Sequence, residues 1–182
     1  MNDSLRKELL AMVKEDQDVL RELQNSGELG TVEYHPKIKA IHERNNKRIK
    51  EIINEHGWPG IDKVGKDGAE AAWLITQHAV LDTNFMESCV PLVKEAVEKK
   101  QAKGQHLAFL QDRVLTMSGQ QQIYGTQFDI DENGTVFPMP IKDPKNVDKF
   151  RLEIGLESLS ERIKFMQERQ DRIRKNRMKT KG

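Results

Sequence analysis

The sequence predicts a mainly α protein: a single domain of about six or seven helices with one β-hairpin near residues 121–137. Three observations lead there. Apolar residues recur at helical spacing through most of the 182 residues. Only 36% of the chain is apolar while 32% is charged, a balance that suits helices with solvated outer faces better than a β-sandwich. Between Gln122 and Phe137 the pattern changes to strand, turn, strand around Asn133-Gly134, a pair that supplies the positive φ angles of a tight hairpin.

The elements follow in order. Leu5, Leu9, Met12, Val19, Leu20 and Leu23 make a stripe over a helix at 3–25, with Asp16 breaking it and Ser26-Gly27 ending it. Residues 30–35 are a connector. Pro36 opens a second helix, which runs to about His56 with Ile38, Ile41, Ile49, Ile52 and Ile53 inward and Asn45 interrupting the stripe. Trp58-Pro59-Gly60 is a turn, and 61–67 reads as a loop containing Gly65. A third helix, about 68–80, is apolar nearly all round and so is central. Asp82 caps a fourth at about 83–100, and Gly104 separates it from a fifth at about 105–118, which Gly119 stops. After the hairpin, Asp143-Pro144 starts a sixth helix that Gly155 stops. Ser158-Leu-Ser-Glu161 is a capping box for a last helix that frays into a basic end. The organisation is therefore a helical domain with a hairpin over 1–157, then an amphipathic helix and basic tail over 158–182.

Charge and composition narrow the function classes. Residues 161–182 hold nine Lys/Arg against Glu161, Glu168 and Asp171, a local excess of +6, which leaves −5 on the rest of a chain whose net charge is +1. Basic runs bind phosphate without sequence preference, but no base-stacking aromatic lies in 166–182, which speaks against a nucleic-acid partner. No apolar run approaches membrane-spanning length and the first residues lack a signal-peptide core, so a cytoplasmic location is expected. Cys89, the one cysteine, sits among Met86, Val90 and Leu92 and reads as a small core residue.

Candidate chemistry concentrates where polar groups interrupt apolar segments, because burying such groups costs free energy unless each finds a partner. His78 has Leu74 and Leu81 as turn neighbours, so its ring points inward; an imidazole can act as acid or base near neutral pH. Asp112 is placed as the carboxylate that orients it, and Arg113 as a fork for a phosphate or carboxylate. Gln77, one turn beyond Trp73, offers an amide to a ligand. Trp58, Tyr124 and Gln127 complete a rim, with Gly125 permitting close approach. Structural alternatives stand beside each: a satisfied core histidine, an internal ion pair, a strand docked on helices. No metal is expected. His78 and Asp82 have i, i+4 spacing, but Asp82 is better explained as a cap, and His42 and His106 are isolated. Glycine fingerprints for nucleotides and a Gly-x-Ser-x-Gly elbow are absent, so no cofactor is expected.

His56-Gly57-Trp58-Pro59-Gly60, Gln77-His78-Ala79, Asp112-Arg113-Val114, Tyr124-Gly125-Thr126-Gln127 and Pro140-Ile141-Lys142-Asp143-Pro144, in this order, resemble a family of bacterial proteins known only as a domain of unknown function. The resemblance covers about 50–157. It implies domain limits and candidate positions, with no reaction attached. In that family the histidine motif tends to continue with an acidic residue; here Val80 stands in that place and the nearest carboxylate is Asp82.

Two functions remain open on the sequence. One is a small enzyme or ligand-binding domain for a small polar or anionic ligand, a hydrolase or transferase with His78 as acid/base. The other is a non-catalytic interaction module, in which the polar network is structural and the first and last helices engage a protein partner or a second copy.

Overall fold

The computed structural model describes residues 1–28 and 34–179, with side chains to 175. Most of the connector expected at 30–35 lies outside the described residues. Among those described are seven helices and one two-stranded antiparallel sheet, so the mainly α class with a single hairpin holds. The chain divides into two compact units, Met1–His106 and Leu107–Gly182.

The first unit holds α1 (Asp3–Ser26), α2 (Pro36–His56), α3 (Ile61–Gln77), α4 (Thr83–Glu98) and the start of α5 (Gly104–Met117). Its core joins Leu5 and Leu9 of α1, Ile49 and Ile52 of α2, and Val64, Ala69, Ala71, Ala72 and Ile75 of α3. The alanines of α3 present a narrow surface, and α1, α2 and α4 all pack on that helix. Each fully buried Leu or Ile contributes about 1.5–3 kcal/mol, so this face outweighs the modest helical preference of the individual segments.

The loop expected at 61–67 is helical instead. Ile61 to Val64 form a first turn, Gly65 adopts φ 73°, and the helix resumes to Gln77. A β-carbon at Gly65 would be strained by that φ, so glycine permits the kink that periodicity alone reads as a loop. Beyond the kink, Asp67 accepts from the Gly68 amide at 2.9 Å and pairs with Arg6 of α1, tying the restart of α3 to its neighbour.

The second unit holds the rest of α5, β1 (Phe128–Ile130), β2 (Val136–Pro138), α6 (Val147–Glu153) and α7 (Leu159–Lys179). Phe128 pairs with Pro138, Asp129 with Phe137 and Ile130 with Val136. The first strand begins at Phe128 rather than near Gln122, because the amides of Ile123, Tyr124 and Thr126 turn toward the Asp112 side chain and are lost to the ladder. The sixth helix begins at Val147 rather than at Asp143-Pro144, since Asp143 accepts from both the backbone and the side-chain amide of Asn146 and closes a turn there. The capping box forms as expected: Ser158 N–H donates to Glu161 at 3.0 Å and Glu161 N–H to Ser158 Oγ at 3.3 Å. The helix it opens does not fray at the basic run; it continues to Lys179. Gln167 of α7 accepts from Val136 N–H and donates to the Gly134 carbonyl, which holds the hairpin to this helix.

Candidate functional site

Three helices of the first unit place three ionisable side chains together. Asp16 sits on the buried stripe of α1, in line with Leu9 and Leu23. His42 sits on the stripe of α2 between Ile41 and Asn45. His78 caps the C-terminus of α3, its amide bonded to the Leu74 and Ile75 carbonyls, so its ring projects from the end of that helix. Asp16 Oδ1 lies 2.8 Å from His42 Nε2, and Asp16 Oδ2 lies 2.8 Å from His78 Nδ1. The two rings are 4.8 Å apart between centroids. Gln17 Nε2 adds a bond to Asp16 Oδ2 at 3.1 Å, and the Tyr34 hydroxyl bonds His42 Nδ1.

Burial grades across the trio. Asp16 is 3% and His42 8% exposed, while the His78 side chain is 21% exposed. Burial by itself would raise the Asp16 carboxyl, but the hydrogen bonds from His42 and His78 outweigh it and hold the group well below the usual carboxylate range. An ionised carboxylate only accepts, so each imidazole presents an N–H to it. His42 then uses its other nitrogen on Tyr34. His78 Nε2 is left with a lone pair and no partner among the described residues. Such an arrangement can take up a proton at Nε2 while the carboxylate steadies the imidazolium.

The residues singled out in the sequence fall in both units. His78 belongs to the trio. Its orienting carboxylate is Asp16, however, and not Asp112. Gln77 is buried at the last turn of α3. Trp58 lines a cavity of about 310 Å³ with Gly60, Lys63, Leu92, Ala96 and Lys99, and its buried indole N–H has no acceptor among the described residues.

Asp112, Arg113, Tyr124 and Gln127 lie in the second unit. Asp112 is fully buried, and its oxygens accept from Ile123 N–H (2.8 Å), Tyr124 N–H (3.1 Å), Thr126 N–H (3.0 Å) and Thr126 Oγ1 (3.0 Å). Burial raises its carboxyl above the ordinary value despite those four donors. It organises the loop. Arg151, 1% exposed, donates to the Tyr124 and Gly125 carbonyls from the other side. Gln122, fully buried, donates to the Gln127 and Met139 carbonyls and accepts from Gln127 N–H. Gln127 itself donates to Thr126 Oγ1. Burial lowers the Arg113 guanidinium and raises the Tyr124 phenol.

Sequence reasoning missed Asp16 and His42 as site residues, and Gln122 and Arg151 as loop clamps. Asp16 carried a signal, since it broke an apolar stripe. His42 did not: its turn position beside Ile41 looks like the edge of a face, and its partners are 26 residues away in the chain for Asp16 and eight for Tyr34. Asp82 is the cap it was expected to be, accepting from Phe85 N–H at 3.0 Å. Cys89 is buried, its thiol pushed up to about 12 by burial, which suits a core residue rather than a nucleophile.

Among known proteins, a family model described as a family of unknown function (DUF6624) matches residues 3–173, which span the whole trio and the Asp112 loop. No curated protein and no solved structure matches the chain.

Proposed function

Starting from a chain that belongs to this family of unknown function, we propose that it is a small enzyme that moves a proton at His78, in hydrolysis or group transfer on a small polar or anionic substrate. One observation carries the reading. Asp16 divides its two oxygens between two imidazoles, and of the two it is the outer, partly exposed imidazole whose second nitrogen has no partner among the described residues. His78 Nε2 takes the proton of an attacking water or hydroxyl as its oxygen bonds to the electrophilic centre. Asp16 holds Nδ1–H and stabilises the imidazolium, and the same proton passes to the leaving group as its bond breaks. His42 and Tyr34 position Asp16 and touch no substrate. Asp112, Gln122 and Arg151 shape the loop of the second unit.

The test has two readouts on chelator-treated protein. Diethyl pyrocarbonate should modify His78 faster than His42 or His106, as read by peptide mass. Turnover of a panel of chromogenic esters and phosphates should fall by about 10²–10⁴-fold in His78→Gln, the range typical of a lost general base. A His78 that resists the reagent, or turnover indifferent to its loss, overturns the proposal.

A second reading, a non-catalytic module with a structural trio, draws on the depth of Asp16 and His42. It requires His78→Gln to unfold the chain like a core substitution, whereas the catalytic reading requires it to stay folded.

A further inference from the structure

We propose that Asp16, His42 and His78 form a binding site for a single divalent first-row metal ion of the zinc class. The inference goes beyond the acid/base reading and does not need His78 to catalyse. It stands on what three side chains from three separate helices offer at one point.

Their ligand atoms all lie within 4.8 Å of one another, and the two N···O separations are 2.8 Å. Ligands about 2.0–2.2 Å from one zinc ion sit about 3.4 Å apart at tetrahedral angles, so the 2.8 Å N···O pairs would open by about 0.6 Å and the widest pair close by at most about 1.4 Å to seat an ion. Two imidazoles and one carboxylate are a ligand set that leaves coordination positions open for water or substrate. With both rings neutral the cluster carries a buried charge of −1. Among the described residues the ion pairs of Asp16 are to these two histidines alone, so no Lys or Arg neutralises it. The contrast with His106 is instructive. There the Glu70 carboxylate is already paired with Lys103 at 2.5 Å, and no third ligand joins.

Outer partners also suit an ion. Metal-bound histidines are usually fixed through their second nitrogen. His42 Nδ1 has the Tyr34 hydroxyl in place, able to accept from an Nδ1–H once Nε2 is given to the metal. Gln17 holds Asp16 Oδ2. His78, on the more exposed side, supplies the way in.

Loading therefore shifts both tautomers. The proton of His42 moves from Nε2 to Nδ1, and that of His78 from Nδ1 to Nε2. The lone pair that the proton-transfer reading uses is then lost, so ion and proton relay are alternative states of one centre.

The experiment titrates metal-stripped full-length chain with zinc chloride by calorimetry, and with cobalt chloride in the visible. Expected are one ion per chain, cobalt bands of a low-coordinate nitrogen–oxygen site, and affinity at least about 10-fold weaker in His42→Gln, His78→Gln and Asp16→Asn but unchanged in His106→Gln. Circular dichroism of each variant separates lost ligation from lost folding, and His78→Gln, at a helix end, is the variant to trust if Asp16→Asn unfolds. Zinc should also suppress carbethoxylation of His78. Absence of binding at 100 µM zinc (roughly −5.5 kcal/mol on the 1 M scale), or binding that survives His42→Gln and His78→Gln, overturns the proposal. Rapid carbethoxylation without any metal binding would sink this inference and leave the acid/base reading standing.

Discussion

Replacing either buried aspartate by asparagine changes one oxygen to an NH₂ of nearly the same shape, yet the two sites should respond very differently. At Asp112 the donors are fixed. Ile123, Tyr124 and Thr126 offer backbone N–H groups, shared over both oxygens. Whichever way the amide turns, at least one backbone N–H then faces an NH₂ and is orphaned. Each orphaned buried donor costs about 1–3 kcal/mol, and the surviving bonds fall from charge-assisted to neutral strength. Against this, the new side chain is relieved of the burial that raises the Asp112 carboxyl. A net loss of about 2–4 kcal/mol follows. At Asp16 the donors can adapt, because a neutral imidazole can present either an N–H or a lone pair. With the amide NH₂ toward His42, Nε2 accepts and Nδ1–H donates to the Tyr34 oxygen, so no group is stranded. The cost there should stay near 1–2 kcal/mol, the difference between charged and neutral hydrogen bonds. Urea unfolding followed by far-ultraviolet circular dichroism measures both. Hydrogen exchange at the Ile123, Tyr124 and Thr126 amides localises the Asp112 effect, with protection falling by about 30-fold or more for 2 kcal/mol. Asp112→Asn costing no more than Asp16→Asn, or unchanged exchange at those three amides, would refute the assignment of Asp112 as the clamp of this loop.

Three more outcomes are expected. Since hydrogen bonds from His42 and His78 hold the folded Asp16 carboxyl below its unfolded value of about 3.9 despite its burial, its contribution is full above that value and is lost progressively as pH falls from there toward the lower folded value; on acidification below about pH 4, melting temperature should therefore drop less steeply in Asp16→Asn than in wild type. His42, with both nitrogens engaged and 8% exposure, should cost more stability on change to Gln than the outer His78 does, by roughly 1–3 kcal/mol in chemical denaturation. Gly125→Ala should destabilise the second unit by at least about 1 kcal/mol, because φ is +65° and the new β-carbon would lie 2.9 Å from Leu159 Cδ1 and 3.1 Å from Ile141 Cδ1; a neutral melting curve would contradict that packing.

Helix positions, caps and stops were legible in the sequence because they are local. A stripe with a 3.6-residue period, the Ser158/Glu161 box and the Asp82 cap each involve groups within a few residues, so short-range sterics and solvation already select the conformation. The sixth helix starts late for a local reason too, the Asp143–Asn146 turn, while other errors fell where packing from elsewhere redirects the backbone. Asp112 takes amides that would otherwise extend the first strand, and the Gly65 kink survives as helix because α3 packs on α1 on both sides of it.

The candidate centre divides along the same line. That Asp16 breaks an apolar stripe can be read from spacing alone, whereas the inward ring expected of His78 assumed a helix running past it, and α3 ends at Gln77 with Leu81 exposed. That Asp16 rather than Asp112 meets His78, 62 residues away, and that His42 joins them, depends on how three helices pack. Sequence dictated which faces are apolar, since burial free energy follows side-chain chemistry and period. Only the tertiary structure decided which polar groups on those faces become partners, because a buried carboxylate must find its donors among whatever side chains the packed helices bring within about 3 Å.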